Sequence, residues 1–405
     1  MKIVDIQWRT YRLPLLNSFS TAHGVMTSRE GIIVQVITSQ EITGIGEIAP
    51  LPAFGGGNLA DARKLLPALV ARLRHKTLHE ALDLVLAEGQ TGTKAASTLC
   101  GLEIALLDAI GKAEGCAVCT LLSPVGTVPR AKVPVNAVIG ARTMDDTIAA
   151  AREARSNGFR CVKLKVLQYP PSGSSKSTKH IATHQPLHAR AVYTQKPKRS
   201  IDPTLGESIR KEVERVAAVR DAIGPAMHLR LDANEAWNLE EAIAILSQCV
   251  PFDIQYVEQP LKAHDLAGMH TLRQVVAIPI AADEAVHSLE SARLVLDSEA
   301  ADILVIKPQL AGGLRVGQQI IQAATEKGVR SVITSALEAG IGLVAALHIV
   351  AASPAVTLEC GLATLHLLSD DLLSDDLSVC DGFLAVPTDP GLGVALDREA
   401  LDRYS

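Results

Sequence analysis

Aromatic residues are scarce in this chain, with 5 Phe, 5 Tyr and 2 Trp among 405 residues. That is too few for the stacked platforms on which single-stranded nucleic acids are held. Charge of one sign is lacking as well, since 39 Lys and Arg face 44 Asp and Glu for a net charge of −5. No general phosphate-neutralising surface is expected, and no nucleic-acid partner is expected either. No run reaches the roughly 20 uninterrupted apolar residues of a membrane span. The most hydrophobic stretch, 341–352, is broken by His348. The start, Met1-Lys2-Ile3-Val4-Asp5-Ile6, lacks a basic segment followed by a long apolar one. No secretory signal or membrane partner is therefore expected, and the chain reads as cytoplasmic. The cysteines, at 100, 116, 119, 161, 249, 360 and 380, are scattered without a disulfide pattern, which suits reduced and mostly buried thiols. Cys116-Ala-Val-Cys119 has no second Cys or His pair at zinc-finger spacing and ends an Ala-rich helical stretch, so it is read as packing.

What is present is a composition able to bury a core, 48% apolar and 20% charged. Residues 1–125 open with strand-like alternation at 3–13, 31–37 and 44–50 and then turn helical, the pattern of an α+β unit. From Val133 onward short apolar strands alternate with Ala-rich amphipathic segments, the pattern of repeated βα units on a parallel sheet. Strand ends are expected at Asp232, Glu258, Asp283, Lys307, Thr334 and Glu359, separated by steps of 26, 25, 24, 27 and 25 residues. Lys165 ends the preceding strand, and 133–138 supplies the one before, which makes eight. A polar residue recurs where each strand finishes, as in a (β/α) barrel, whose active site is built at the strand ends.

One step is irregular, because Lys165 to Asp232 spans 67 residues. The excess includes 168–200, with six Lys or Arg and three His and no acid. It lacks a sustained hydrophobic period and reads as an inserted basic loop at 168–207. The barrel is expected over 126–375. The segment 376–405, with Pro387-Thr-Asp-Pro-Gly-Leu-Gly393, is expected to pack back on the N-terminal unit.

Asp232, Glu258 and Asp283 on consecutive strands supply hard oxygen ligands, which suit Mg²⁺, with Mn²⁺ as the alternative. Buried carboxylates repel unless a cation lies among them. Lys163 and Lys165 are two apart on a strand and share a face. A charged Lys163 would help hold Lys165 neutral, as a base requires, and Lys307 would sit across the barrel. A metal with lysines on two sides is equipment for removing a proton α to a carboxylate, so the expected partner is a small-molecule carboxylate. The enolase superfamily is the standard example of a lysine base working beside Mg²⁺ in this way.

The chain resembles the muconate-lactonising branch of the enolase superfamily over nearly its whole length. The resemblance is carried by Lys163-Leu-Lys165, Asp232-Ala-Asn234, Glu258-Gln-Pro260, Asp283-Glu284 and Lys307-Pro308, in the family's order and spacing. It implies a (β/α)7β barrel of TIM type with an α+β N-terminal capping domain. It also implies metal ligands at Asp232, Glu258 and Asp283 and an acid/base pair of Lys165 and Lys307. Within the branch, Arg29-Glu-Gly31, the stretch 44–54, Leu229-Arg-Leu-Asp-Ala-Asn234 and Ser335-Ala-Leu-Glu338 resemble the o-succinylbenzoate synthases, lyases of menaquinone synthesis. Dipeptide epimerases carry Asp-x-Asp near the eighth strand end, where this chain has Glu359-Cys-Gly361. N-succinylamino acid racemases are the nearer rival. Candidate substrate contacts are Arg230, with a structural ion pair as its alternative, Thr334 and Ser335, with helix capping as theirs, and Gly361. The resemblance further implies closing loops at 18–26 and 51–58, with Gly55-Gly-Gly57 as a hinge.

Overall fold

The computed structural model describes residues 1–21, 24–54, 57–89, 95–140, 143–166 and 203–405. The basic stretch 168–200 lies outside the described residues, as do Gly55 and Gly56 of the expected hinge and residues 22 and 23 of the first closing loop.

The chain begins with β1 (Ile3–Thr21), β2 (Gly24–Thr38) and β3 (Thr43–Ile48), an antiparallel sheet in that order. Period-two burial explains β2, since Val34, Val36 and Thr38 are buried while Gln35 and Ile37 between them are half-buried. Helices α1 (Leu59–Leu73), α2 (Leu78–Gly89), α3 (Ala96–Glu114) and α4 (Val118–Leu122) follow. α3 is buried from Ala96 to Gly111 and lies directly on β3, because Gly44 and Gly46 have no side chains. A Cβ at Gly44 or Gly46 would stand 2.1 Å from the α3 carbonyl oxygen of Ala105 or Gly101.

After β4 (Lys132–Pro134) and β5 (Ala137–Ile139), helices and strands alternate. They run α5 (Met144–Ser156), β6 (Cys161–Lys165), α6 (Pro203–Ile223), β7 (His228–Asp232), α7 (Leu239–Cys249), β8 (Ile254–Glu258) and α8 (Leu266–Val275). Then come β9 (Ile280–Ala282), α9 (Leu289–Asp297), β10 (Ile303–Ile306), α10 (Pro308–Ala311), α11 (Leu314–Glu326), β11 (Arg330–Ile333) and α12 (Gly340–Ala351). Local chemistry starts many of these helices: Thr143, Asn238, Asp265 and Ser288 each accept a hydrogen bond from the third backbone N–H of the helix they precede. Strands β5 to β11 form one parallel sheet in sequence order. Parallel bridges from Cys360 to Val135 and from Gly361 to Thr334 join its two edges, closing the (β/α) barrel that the repeat of about 25 residues predicts. Tyr256, Ala281, Ile303, Val305 and Val332 fill the interior, so the barrel is a packed core rather than a pore.

Three expectations about this architecture need correction. The insertion does not extend to 207, because α6 begins at Pro203 and buries Ile209, Val216, Val219 and Ile223 on one face. The expected first strand, 133–138, divides in two: β5 enters the barrel, while β4 pairs antiparallel with β12 (Phe383–Ala385) outside it. The eighth strand lies at Cys360 and Gly361 rather than 356–359, which takes Glu359 away from the mouth.

The N-terminal unit reaches across to the barrel through buried carboxylates. Glu47 on β3 accepts hydrogen bonds from Ala339 N and Gly342 N, both at 2.8 Å, and so caps α12. Glu103 on α3 accepts from Leu314 N at 2.8 Å and Arg315 N at 2.9 Å, capping α11. The C-terminal segment returns to the same unit: Leu392 N donates to Asp108 at 2.7 Å, and Arg9 pairs with Asp402 in α13 (Arg398–Tyr404). Cys119 is buried and Cys116 half-buried, both as free thiols. Among the described residues, no helix is long and apolar enough to cross a membrane.

Glu103 carries a pH signature. Burial outweighs its two N–H donors and raises its carboxyl from 4.5 to about 7. The folded chain therefore binds this proton more tightly than the unfolded chain does. Its contribution to stability falls as pH rises from about 4.5 to about 7 and is constant above that. Glu103→Gln stays neutral throughout. Its stability relative to the unaltered chain is expected to rise by up to about 3 kcal/mol across that window, as read from urea midpoints. A difference independent of pH would contradict this.

Candidate active site

Strand register sets two layers inside the barrel. In the upper one Lys165 lies beside Asp232 and Asp232 beside Glu258; in the lower, Lys163 lies beside Arg230 and Arg230 beside Tyr256. Asp283 follows β9 directly, Lys307 follows β10, and both point into the same cavity of about 70 Å³ at the C-terminal ends of the strands. Met26, Leu51 and Phe54 of the N-terminal unit cover it, and Thr334, Ser335 and Gly361 complete the wall. The larger groove of about 740 Å³ lies outside, between α9 and α11, and gathers none of these groups.

Each lysine is held by acids. Lys163 Nζ lies 2.7 Å from Glu258 Oε1 and 3.1 Å from Asp232 Oδ2. Lys165 Nζ lies 2.6 Å from Asp232 Oδ2 and donates to Asn234 Oδ1 at 2.7 Å. Lys307 Nζ pairs with Asp283 Oδ1 and stands 5.3 Å from the centre of the Phe54 ring. Burial presses Lys163 toward neutrality, but Glu258 and Asp232 outweigh it and hold the ammonium well above its ordinary range. Lys307 is raised in the same way, burial being outweighed by Asp283, Glu284 and Glu258.

The carboxylates divide. Burial would raise Asp232, yet Lys165 and Lys163 together hold it well below the usual range. Glu258 is raised by burial and then by Asp232, and Glu284 by burial and then by Asp283. Glu284 Oε1 accepts from Asn234 Nδ2 at 3.0 Å, while its buried Oε2 has no hydrogen-bond partner. Four acids thus face three lysines, and the buried Oε2 of Glu284 has no partner. That set of carboxylate oxygens fits a hard divalent cation, which would favour the charged forms of the acids that burial and their neighbours raise. Among the described residues no three His, Cys, Asp or Glu side chains are already arranged as a metal site, because the lysine nitrogens stand against the carboxylate oxygens.

Arg230 is corrected to the structural alternative. It is fully buried below the mouth, stacks 4.7 Å from the centre of the Tyr256 ring, and donates to Gln255 at 2.6 Å and to Glu359 Oε2 at 2.8 Å. Its guanidinium is engaged in the barrel's lower layer, and Arg230 does not line the cavity that Lys165, Glu258 and Asp283 share. Glu359 also pairs with His228 and is thereby engaged beneath the mouth. Thr334 and Ser335 do not cap the next helix: Ser335 Oγ bonds to Thr364 Oγ1 at 2.9 Å and accepts from Leu337 N at 2.8 Å, and Glu47 does the capping. Sequence reasoning missed Thr364 and Leu367 in the wall, for which no local pattern exists. It also missed Gln259, whose Oε1 accepts from Asp283 N at 2.9 Å and from Ala285 N at 3.2 Å, tying one strand end to the next. The Glu258-Gln-Pro260 motif was its signal.

A barrel with strand-end acids and facing lysines under an α+β cover defines a class, and comparison with known proteins agrees. The chain belongs to the enolase superfamily: residues 146–400 match the family model described as Enolase C-terminal domain-like. Residues 5–98 match a second model, the MenC N-terminal domain. The chain is 40% identical to o-succinylbenzoate synthase of Thermobifida fusca over 181 residues, which is 45% of this chain and 56% of that protein. It is 26% identical to L-Ala-D/L-Glu epimerase of Bacillus subtilis over 404 residues, 97% of each chain. The substrate-liganded structure of that epimerase superposes with a TM-score of 0.81 at 25% identity, covering 97% of this chain and 99% of the other. N-succinyl-L-Arg/Lys racemase of Bacillus cereus is 24% identical over 413 residues, 100% of this chain and 98% of the racemase.

Proposed function

We propose that this chain is an o-succinylbenzoate synthase, a lyase that dehydrates 2-succinyl-6-hydroxy-2,4-cyclohexadiene-1-carboxylate to 2-succinylbenzoate in menaquinone synthesis. The observation that carries the reading is the placement of Lys165 and Lys307 on strands four apart in an eight-position ring, hence on opposite walls of one cavity, with Asp232, Glu258 and Asp283 between them. The choice of substrate is supported by the match of residues 5–98 to the MenC N-terminal domain and by the identity with the Thermobifida synthase. The eighth-strand wall supports it too. Gly361 faces the cavity and Glu359 is engaged with Arg230, so this wall offers no carboxylate to a dipeptide ammonium.

Asp232, Glu258 and Asp283 would hold Mg²⁺, or Mn²⁺ as the alternative, which when bound offsets the charge that builds on the substrate carboxylate. Lys165, oriented by Asp232 and Asn234, takes the proton α to the ring carboxylate. The electron pair of that C–H bond becomes an enediolate. Lys307 stays protonated and stabilises it as a fixed cation. As the enediolate collapses, the C–O bond breaks, the ring becomes aromatic, and Lys165 returns its proton to the departing hydroxyl as water. Lys163 stays charged between Glu258 and Asp232 and keeps both acids in place. Met26, Leu51 and Phe54 give the cavity an apolar cover that limits water.

The test is direct: purified protein with Mg²⁺ and the cyclohexadiene acid is expected to yield the aromatic product, seen by its ultraviolet absorbance, and to stop on chelation. Absence of product would overturn the reading. N-succinylamino acid racemisation is the second reading, favoured by the position of Lys307 across from Lys165, from which it could return a proton to the opposite face. Lys307→Arg separates the two. A fixed cation survives in arginine but proton exchange does not, because arginine is never neutral. Dehydration is expected to fall no more than about 100-fold and racemisation by at least about 1,000-fold. Equal losses would contradict the static role of Lys307.

A further inference from the structure

We propose that Arg29 is a positioning residue that joins the two walls of the substrate cavity and thereby sets substrate affinity. The inference rests on the proposed function for its choice of substrate. Arg29 lies on β2, is 3% exposed, and directs its guanidinium at four backbone carbonyls. Two belong to the N-terminal unit just before the cavity's cover: Nη2 donates to Ala49 O at 2.6 Å and Nη1 to Pro50 O at 2.7 Å. Nη1 also donates to Glu30 O at 3.1 Å. The fourth lies in the barrel, where Nε donates to Leu337 O at 3.1 Å.

The two ends of this clamp carry the pocket. Leu51 follows Pro50 directly and Phe54 lies four residues beyond it, and Thr334, Ser335, Ala336 and Leu337 form the facing wall. Leu337 needs holding, since its φ of 61° is in the left-handed region that a leucine rarely adopts. Ser335 Oγ fixes its N–H at 2.8 Å and Arg29 fixes its carbonyl. Glu47 then secures Ala339 N and Gly342 N immediately downstream. The turn that presents Ser335 to the cavity is therefore held from the N-terminal unit, and by the same guanidinium that holds the root of the cover. A lysine keeps the charge of Arg29 but cannot reach four carbonyls in a planar fork. Nothing in the clamp touches Lys165, Lys307 or the three acids, so chemistry and cation binding should be spared.

The test is Arg29→Lys in the full chain, with steady-state kinetics on the cyclohexadiene acid and calorimetry of Mg²⁺ binding. We expect KM to rise at least tenfold, kcat to stay within threefold, and the Mg²⁺ dissociation constant to stay within twofold. Loss confined to kcat, or to the folded fraction with KM unchanged, would overturn the proposal. If the unaltered chain does not dehydrate this acid, the functional reading has failed, and the same comparison on an N-succinylamino acid judges the clamp. Should Arg29→Lys not fold, hydrogen exchange on the unaltered chain decides. Amides of Leu337, Ala339 and Gly342 are expected to be protected as strongly as those of β2 and β3, and exchange at the rate of exposed loops would overturn the clamp.

Discussion

Lys165→Ala is expected to lower kcat for dehydration by about 1,000- to 10,000-fold, the range that a positioned proton-transfer group contributes. The substitution should leave the fold standing. Asp232 keeps Lys163 at 3.1 Å, so no buried carboxylate is stranded without a cation. The Lys165 side chain is also 21% exposed, and its removal opens no sealed core cavity. Melting temperature and Mg²⁺ affinity should therefore change little while turnover collapses. Turnover within tenfold of the unaltered chain would remove Lys165 as the base and leave Lys307 as the candidate.

Glu258→Gln is expected to move stability and metal affinity in opposite directions. Burial and the neighbouring Asp232 disfavour the charged form of Glu258, and an amide of the same shape carries no such penalty. Without metal, the variant should be as stable as the parent or more stable by about 1 to 2 kcal/mol, because Lys163 retains Asp232. Loss of one of the three proposed anionic oxygen ligands should weaken Mg²⁺ binding at least 100-fold, with activity falling in step at low Mg²⁺. Calorimetry and metal-free urea melts test both signs. An amide variant that is less stable yet binds Mg²⁺ normally would assign Glu258 to the framework and not to the metal.

Much of the candidate site was legible because a barrel converts sequence spacing into position around a ring. Steps near 25 residues placed Asp232, Glu258, Asp283 and Lys307 at successive strand ends, and the two-residue spacing of Lys163 and Lys165 placed both on the inner face. The misreadings have a common origin in register and distance. Glu359 was expected at the mouth, but the eighth strand is reduced to bridges at Cys360 and Gly361, and that shift put the carboxylate beside Arg230 instead. Glu47 caps a helix whose first residues lie 292 positions away, and Arg29 meets Leu337 across 308. Neither contact leaves a local pattern in the chain. The glycines of Gly44-Ile-Gly46 were visible as a motif, but their reason, the close seat of α3, exists only once sheet and helix have met.

Dehydration of the cyclohexadiene acid, with Lys165 working on one face of the substrate, is the proposed reaction. The most direct measurement is kcat/KM for that acid and for N-succinylamino acids on one Mg²⁺-loaded preparation, with aromatic absorbance for the first and polarimetry for the second. The value for dehydration is expected to be at least tenfold greater. Racemisation alone, with no aromatic product, would contradict it.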